Sequence, residues 1–177
     1  MEYGSIAEIL SESDAVRDAT QEFVSGISVE ESEQLADGEK WTLRHLFEHV
    51  SLVDASLLKL IAMLAAKSER SDAAANTVSD DFTEMLSGVY SKKLEAPDRV
   101  QPTGEIPVDK SLLSMEESRR DLAAMGEQLE GTNLMGLKYP HPYFGEMTAP
   151  EWMVLRNKHE VRHLDQARVI LEKIRQK

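Results

Sequence analysis

TLRHLFEHVSLVDASLLKLIAMLAAK, residues 42–67, is the stretch that decides the fold. Leu46, Val50, Val53, Leu57, Leu60 and Leu64 recur by fours and threes, which is the period of one face of an α-helix. The stripe is narrow, as on a helix packed nearly antiparallel to its neighbours in a bundle. No Gly or Pro interrupts it. Thr42 can cap its start, and Trp41 and Leu46 stand where a hydrophobic staple would fix the entering chain. The spacing predicts one long helix from Thr42 to about Lys67.

Working outward, Ser5 to Val24 carries Ile6, Ile9, Val16 and Phe23 on one side. That predicts a first helix, with a Ser5/Glu8 capping box and a stop at Gly26. Residues 28–40 read as a loop with at most a short helical turn, ended by Asp37-Gly38. Residues 68–80 are small and polar, so a loop. Phe82, Met85, Leu86, Val89 and Tyr90 predict a short peripheral helix. Residues 96–107 hold three prolines and Gly104 and read as an extended crossover. Ser111 or Ser114, the latter with Glu117, is the expected cap of a third main helix. Leu112, Met115, Leu122, Met125 and Leu129 give its inner face, and Gly131 its end. Residues 137–150 form an ordered loop, and Pro150 opens a last helix that runs to about Ile174. Period-2 runs of Val, Ile and Thr are absent, so no sheet is expected. The prediction is an all-α chain, one domain over residues 1–177, with four main helices, a long crossover and a short extra helix.

At 177 residues and 41% hydrophobic content the chain can bury a sizeable core. It has no run of about 18 apolar residues, which argues against a membrane span, and its first residues lack the pattern of a signal peptide. A cytoplasmic location is the expectation from those missing signals. The net charge of −12 disfavours nucleic acid and anionic membranes as partners, since both are polyanions. There is no cysteine, so any metal must be held by His, Asp or Glu.

Five histidines occur: His45, His49, His141, His159 and His163. Four of them form two pairs spaced by four residues, the spacing that stacks side chains on one helical face. At about 100° per residue, His49 borders the apolar stripe of its helix, and His45 falls further toward solvent. On the last helix His163 lies inside the stripe set by Trp152, Ile170 and Ile174, with His159 at its edge. His49, His159 and His163 are therefore the candidate metal ligands, placed where two helices face each other. Three neutral imidazoles leave coordination positions open for water or substrate, with zinc or nickel as first candidates and iron or manganese behind them.

Residues 159–163 also spell H-E-x-x-H, the zinc-protease motif. A protease needs a third ligand further along the chain, and only 14 residues follow His163, none of them His. The protease reading is set aside on that ground. Glu160 stays open, between general base and an ordinary helix residue. Arg119, on an inner stripe, is open between an anion-binding role and pairing with a carboxylate such as Asp54. His141, between two prolines, is a loop residue or part of a lid.

Taken together, the segments W41-T-L-R-H-L-F-E-H-V50, V100-Q-P-T-G104, H141-P-Y-F-G-E-M-T-A-P-E-W152 and K158-H-E-V-R-H-L-D-Q166 resemble the DinB-like (YfiT-like) family of metal-binding four-helix bundles. They are similar to its Trp-Ser/Thr start of the second helix, its crossover and its closing His-x-x-x-His-x-x-Gln, and they span nearly the whole chain. The resemblance implies that His49, His159 and His163 are the ligands. It also implies a cytosolic, often homodimeric protein acting on a small molecule. Some relatives are S-transferases or isomerases that use a low-molecular-weight thiol, and others are described as metal-dependent hydrolases. A non-catalytic, stress-associated binding or dimerisation protein is the alternative from another class. Relatives often carry Glu or Gln where this chain has His45, which leaves open a fourth donor near the site.

Overall fold

The computed structural model describes residues 2–71, 75–90 and 96–176. The middle of the 68–80 loop and the side chains of Val89 and Tyr90 lie outside the described residues. The long helix is present as expected, and so are the other main helices. In chain order they are α1 (Ile6–Ser25), the short α2 (Val29–Glu33), α3 (Leu43–Lys67), α4 (Asp80–Tyr90), α5 (Val108–Ala124), α6 (Gly126–Glu130) and α7 (Ala149–Arg175). α3 packs on α5 and α7, and α1 packs on α7 and α5, which closes a four-helix bundle.

The starts of these helices follow from local chemistry. The side chains of Ser5, Thr42 and Thr148 each accept a hydrogen bond from the backbone N–H three residues on, which satisfies one of the orphan donors at a helix start. Glu151 reaches back to the Thr148 N–H, completing a capping box. α5 departs from expectation. It begins at Val108, directly after Pro107, with no side-chain cap, because the proline ring already holds a helix-compatible φ. Ser111 is then a buried residue one turn inside, and the Ser114/Glu117 box is not needed. The helix also breaks at Met125, and the short α6 carries the chain to Gly131.

A second departure is a small sheet where none was expected. Residues 138–141 (β1) and 145–148 (β2) form an antiparallel hairpin, with Lys138 opposite Thr148 and His141 opposite Gly145. Each strand has four residues, and only Met147 and Thr148 are buried, so no alternation could show in the sequence. Pro140 is tolerated because a two-stranded ribbon has only edge strands.

The interior has an uneven composition along the bundle. One apolar cluster joins Ile6 and Ile9 of α1, Ile61 and Leu64 of α3, Leu122 of α5, and Trp152 and Leu155 of α7. A second joins Leu43, Leu46 and Phe47 of α3 to Ala167, Ile170 and Ile174 of α7. Between them lies a buried polar belt: Ser13, Arg17 and Thr20 on α1, Glu48, His49 and Asp54 on α3, and Arg156, Glu160 and His163 on α7. Burying such groups is unfavourable unless each finds a partner, so the belt is where chemistry is to be sought. α3 is long and apolar enough to cross a membrane by length and composition, although it lacks an unbroken apolar run. In this fold it is a bundle helix, and it carries three of the belt residues.

Candidate metal centre

His49 lies in the second turn of α3, and His159 and His163 lie one turn apart on α7. Because α3 packs on α7, the three rings meet. Their centroids are separated by 5.2 Å (His49–His159), 5.1 Å (His49–His163) and 4.4 Å (His159–His163). One ring nitrogen from each falls within 4.8 Å of the other two. His49 and His163 are buried, and His159 is half-buried at the rim. The Trp41 ring, 5.0 Å from that of His49, covers one side.

Two of the rings are oriented by hydrogen bonds. His49 Nδ1 lies 2.8 Å from the Val100 carbonyl oxygen. A carbonyl only accepts, so Nδ1 carries the proton and Nε2 keeps its lone pair. His163 Nδ1 is 3.0 Å from Gln166 Oε1, with the same consequence. This is how metal-binding histidines are held in one tautomer. Burial is the main reason that all three imidazoles lose their protons more readily than usual. The Arg162 charge adds to this at each of them, His163 and His49 further depress His159, and His49 depresses His163. His163 is lowered to about 3 and His159 falls well below its ordinary value. A metal requires neutral imidazole, so burial above all, with the neighbouring positive charges, prepares the donors for it. With one nitrogen of each ring within 4.8 Å of the others, these three residues would hold one ion, an imidazole–metal bond being about 2.0–2.1 Å. The donor set fits a divalent ion that keeps open positions.

The model of the DinB superfamily matches residues 12–167. The chain belongs to the DinB superfamily. It is 27% identical over 158 residues to the uncharacterized protein YuaE of Bacillus subtilis (strain 168), a match that covers 85% of this chain and 90% of that one. It also resembles TT2238, a four-helix bundle protein known from a crystal structure, with a TM-score of 0.59 and 18% identity. That likeness covers 92% of this chain and 96% of the other. At that identity it is a likeness of fold. DinB-like proteins often bind metal, in keeping with the donor set.

The other charged candidates separate from this DinB-type site. Glu160 faces away from the imidazoles. Its Oε1 accepts from Arg17 Nε at 2.9 Å and from Thr20 Oγ1 at 2.8 Å, and its Oε2 accepts from Arg17 Nη2 at 2.9 Å. Both carboxylate oxygens are committed to α1, so Glu160 is not a base for a bound water, and the protease motif dissolves on geometry. Arg17 also pairs with Asp54 at 3.1 Å, donates to the Met115 carbonyl of α5, and is 1% exposed. Arg156 completes the group, 2.7 Å from Asp54 and bonded to Ser13. Arg119 does pair with carboxylates, but with Asp14 and Asp18 on the outside of α1, each at 2.7 Å, and not with Asp54.

His45 is not among the converging nitrogens. Its Nδ1 is 2.8 Å from the Thr42 hydroxyl. His141 ends β1 and packs on Phe144 and Trp152 at 4.6 and 5.3 Å. Burial, and then the Arg99 charge, lower it to about 4. It is a hairpin residue.

Arg17 and Arg156 were missed as buried residues. The signal was present on α1, whose buried positions Ile6, Ile9, Ser13, Val16, Arg17 and Thr20 form one stripe that turns polar halfway along. The Val100 carbonyl could not have been found, because a backbone group leaves no mark in the sequence.

Proposed function

We propose that the chain is a divalent-metal-dependent enzyme whose ion sits on His49, His159 and His163. The first choice of reaction is group transfer to or from a low-molecular-weight thiol. The observation that carries the reading is the convergence of three neutral imidazoles, two with their outer nitrogens already engaged by oxygen acceptors. A zinc or nickel ion bound there supplies Lewis acidity, which lowers the pKa of a thiol or a water at its open position.

The chain's own residues favour the thiol. Among the described residues no carboxylate joins the three donors, and Glu160 is engaged by Arg17 and Thr20, which favours a thiol over a water that would need a base. A thiol ordinarily ionises near pH 8.5 and needs far less help than water does. Arg162, whose charge reaches all three imidazoles, favours an anion as the incoming group. With no cysteine in the chain, the thiol comes from a cosubstrate. His159 is the most exposed of the three imidazoles, so an electrophile is expected to approach on its side.

The test is metal analysis of untagged protein grown with ample metal. One ion per chain is expected in wild type, and close to none in His49→Ala and His163→Ala with helical content unchanged. Wild-type protein that takes up no ion would sink the proposal. Conjugation of a small thiol to a reactive electrophile then separates transfer from hydrolysis.

A further inference from the structure

The polar belt holds one charged residue that neither the histidines nor the Arg17 network uses. Glu48 precedes His49 on α3, and it is 2% exposed. A carboxylate so deeply buried must be held by donors, and here they come from the crossover. Its Oε1 accepts from the Thr103 N–H at 3.0 Å and from the Thr103 hydroxyl at 2.8 Å, and its Oε2 accepts from the Gly104 N–H at 2.7 Å. Gly104 has φ +76, and a Cβ added there would lie 2.4 Å from His45 Nε2. The position thus needs glycine both for its left-handed backbone and for its close approach to the ring. His45 is in turn fixed on Thr42. His45, Glu48 and His49 stand at i, i+3 and i+4, one face of the helix start. They engage Gly104, Thr103–Gly104 and Val100 respectively.

We propose that Glu48 is a positioning residue for the three-histidine site. By latching Thr103 and Gly104 to α3 it holds the crossover so that the Val100 carbonyl meets His49 Nδ1 and turns Nε2 toward His159 and His163. The proposal rests on the metal reading for its functional consequence, but not for its geometry. Val100 is tied to α3 through His49 alone among the hydrogen bonds of the described residues, three positions before the latch. Once the latch opens, the carbonyl is held only by that bond, by the turn in which the Val100 N–H donates to the Pro97 carbonyl, and by the buried Val100 side chain, so its position is expected to loosen. The role assigned to His45 follows from the same contacts: it is the floor on which Gly104 rests.

The experiment compares wild type with Glu48→Gln and Thr103→Val by two readouts. Zinc affinity is measured by competition with a chromogenic chelator, and the His49 tautomer by nitrogen-15 NMR of the metal-free protein. Glu48→Gln keeps the size of the side chain but places an amide NH2 against an N–H donor. It is expected to weaken zinc binding about tenfold or more, the range in which orienting partners of metal ligands act, and to shift His49 from a single Nδ1–H tautomer to a mixture. Thr103→Val, which removes one of the three bonds, shifts both in the same direction by less, and it carries the test if Glu48→Gln does not fold. Gly104→Ala weakens zinc binding, and adding His45→Ala recovers part of the loss, because the ring is what the new Cβ meets. Wild-type affinity and an unchanged tautomer in Glu48→Gln overturn the proposal. If wild type binds no zinc, the metal reading falls, and the tautomer alone then decides for or against the latch.

Discussion

His159 and Glu160 are neighbours on α7, yet they belong to opposite kinds of site. Glu160 enters a group of two arginines and two carboxylates, in which Arg17, Arg156, Asp54 and Glu160 balance one another. His159 enters a group of three bases, with one ring nitrogen of each within 4.8 Å of the others, where the charges of His163 and His49 oppose its protonation. Opposite charges answer one another inside the fold, whereas three neutral bases brought together have no opposite charge among themselves. The difference separates a buried group of paired charges that ties α1, α3 and α7 together from a buried group of neutral bases proposed to hold a metal. The sharpest way to break the comparison is to remove each neighbour in turn. Glu160→Ala leaves Arg17 buried without its main partner and is expected to lower the unfolding free energy by about 3–5 kcal/mol. His159→Ala, in protein stripped of metal, should lower it by about 1 kcal/mol. Urea unfolding in the presence of a chelator measures both, and equal losses would erase the distinction.

Acid offers a second handle of intermediate size. His49, His141, His159 and His163 all have folded-state pKa values below the ordinary 6.5, with His141 near 4 and His163 near 3. As pH falls from about 6.5, the unfolded chain takes up protons that the folded chain refuses. The stability from these groups is thus whole above about 6.5 and is lost on the way down toward 4 and then 3. Metal-free protein should melt at a progressively lower temperature between pH 7 and pH 5. His163→Ala should flatten that slope, and bound metal should raise the whole curve, since it holds the same nitrogens that protons compete for. A melting temperature independent of pH over this range would show that the histidines are not held neutral by burial.

The helices and the meeting of His49, His159 and His163 were both legible in the sequence, for the same physical reason. Regular periodicity places Leu46, Val50 and Leu64 on one side of α3 and fixes where His49 must stand, and the same rule aligns His159 with His163. The hairpin at 138–148 escaped because strands of four residues are too short to show alternation. The start of α5 was misplaced because Pro107 made a serine cap unnecessary. The partners of the site escaped for a deeper reason. Glu160 matched a known motif, but its direction depended on where Arg17 would lie, 143 positions away. The Val100 carbonyl that orients His49 exists as a partner only after the crossover has folded against α3. Sequence spacing reports which residues share a face. It does not report which residue from elsewhere will meet that face.

Arg119 supplies the smallest effect, and it sharpens the comparison from the outside. It makes two ion pairs at 2.7 Å, as short as any in the buried network, but Asp14 and Asp18 are 53% and 64% exposed. Water screens such pairs, so Arg119→Ala is expected to cost at most about 1 kcal/mol. In about 1 M salt, where the screening length is near 3 Å, the loss should shrink toward zero. The loss from Glu160→Ala should persist, because its partners lie where salt does not reach. Metal content should be unchanged, since Arg119 joins α5 to α1 on a side of the bundle apart from the imidazoles. If Arg119→Ala instead lowered ion binding or thiol conjugation without changing stability, this arginine would act on the substrate, and its pairing with Asp14 and Asp18 would be a resting arrangement. Unfolding curves at low and high salt, taken beside metal analysis of the same preparations, decide between the two.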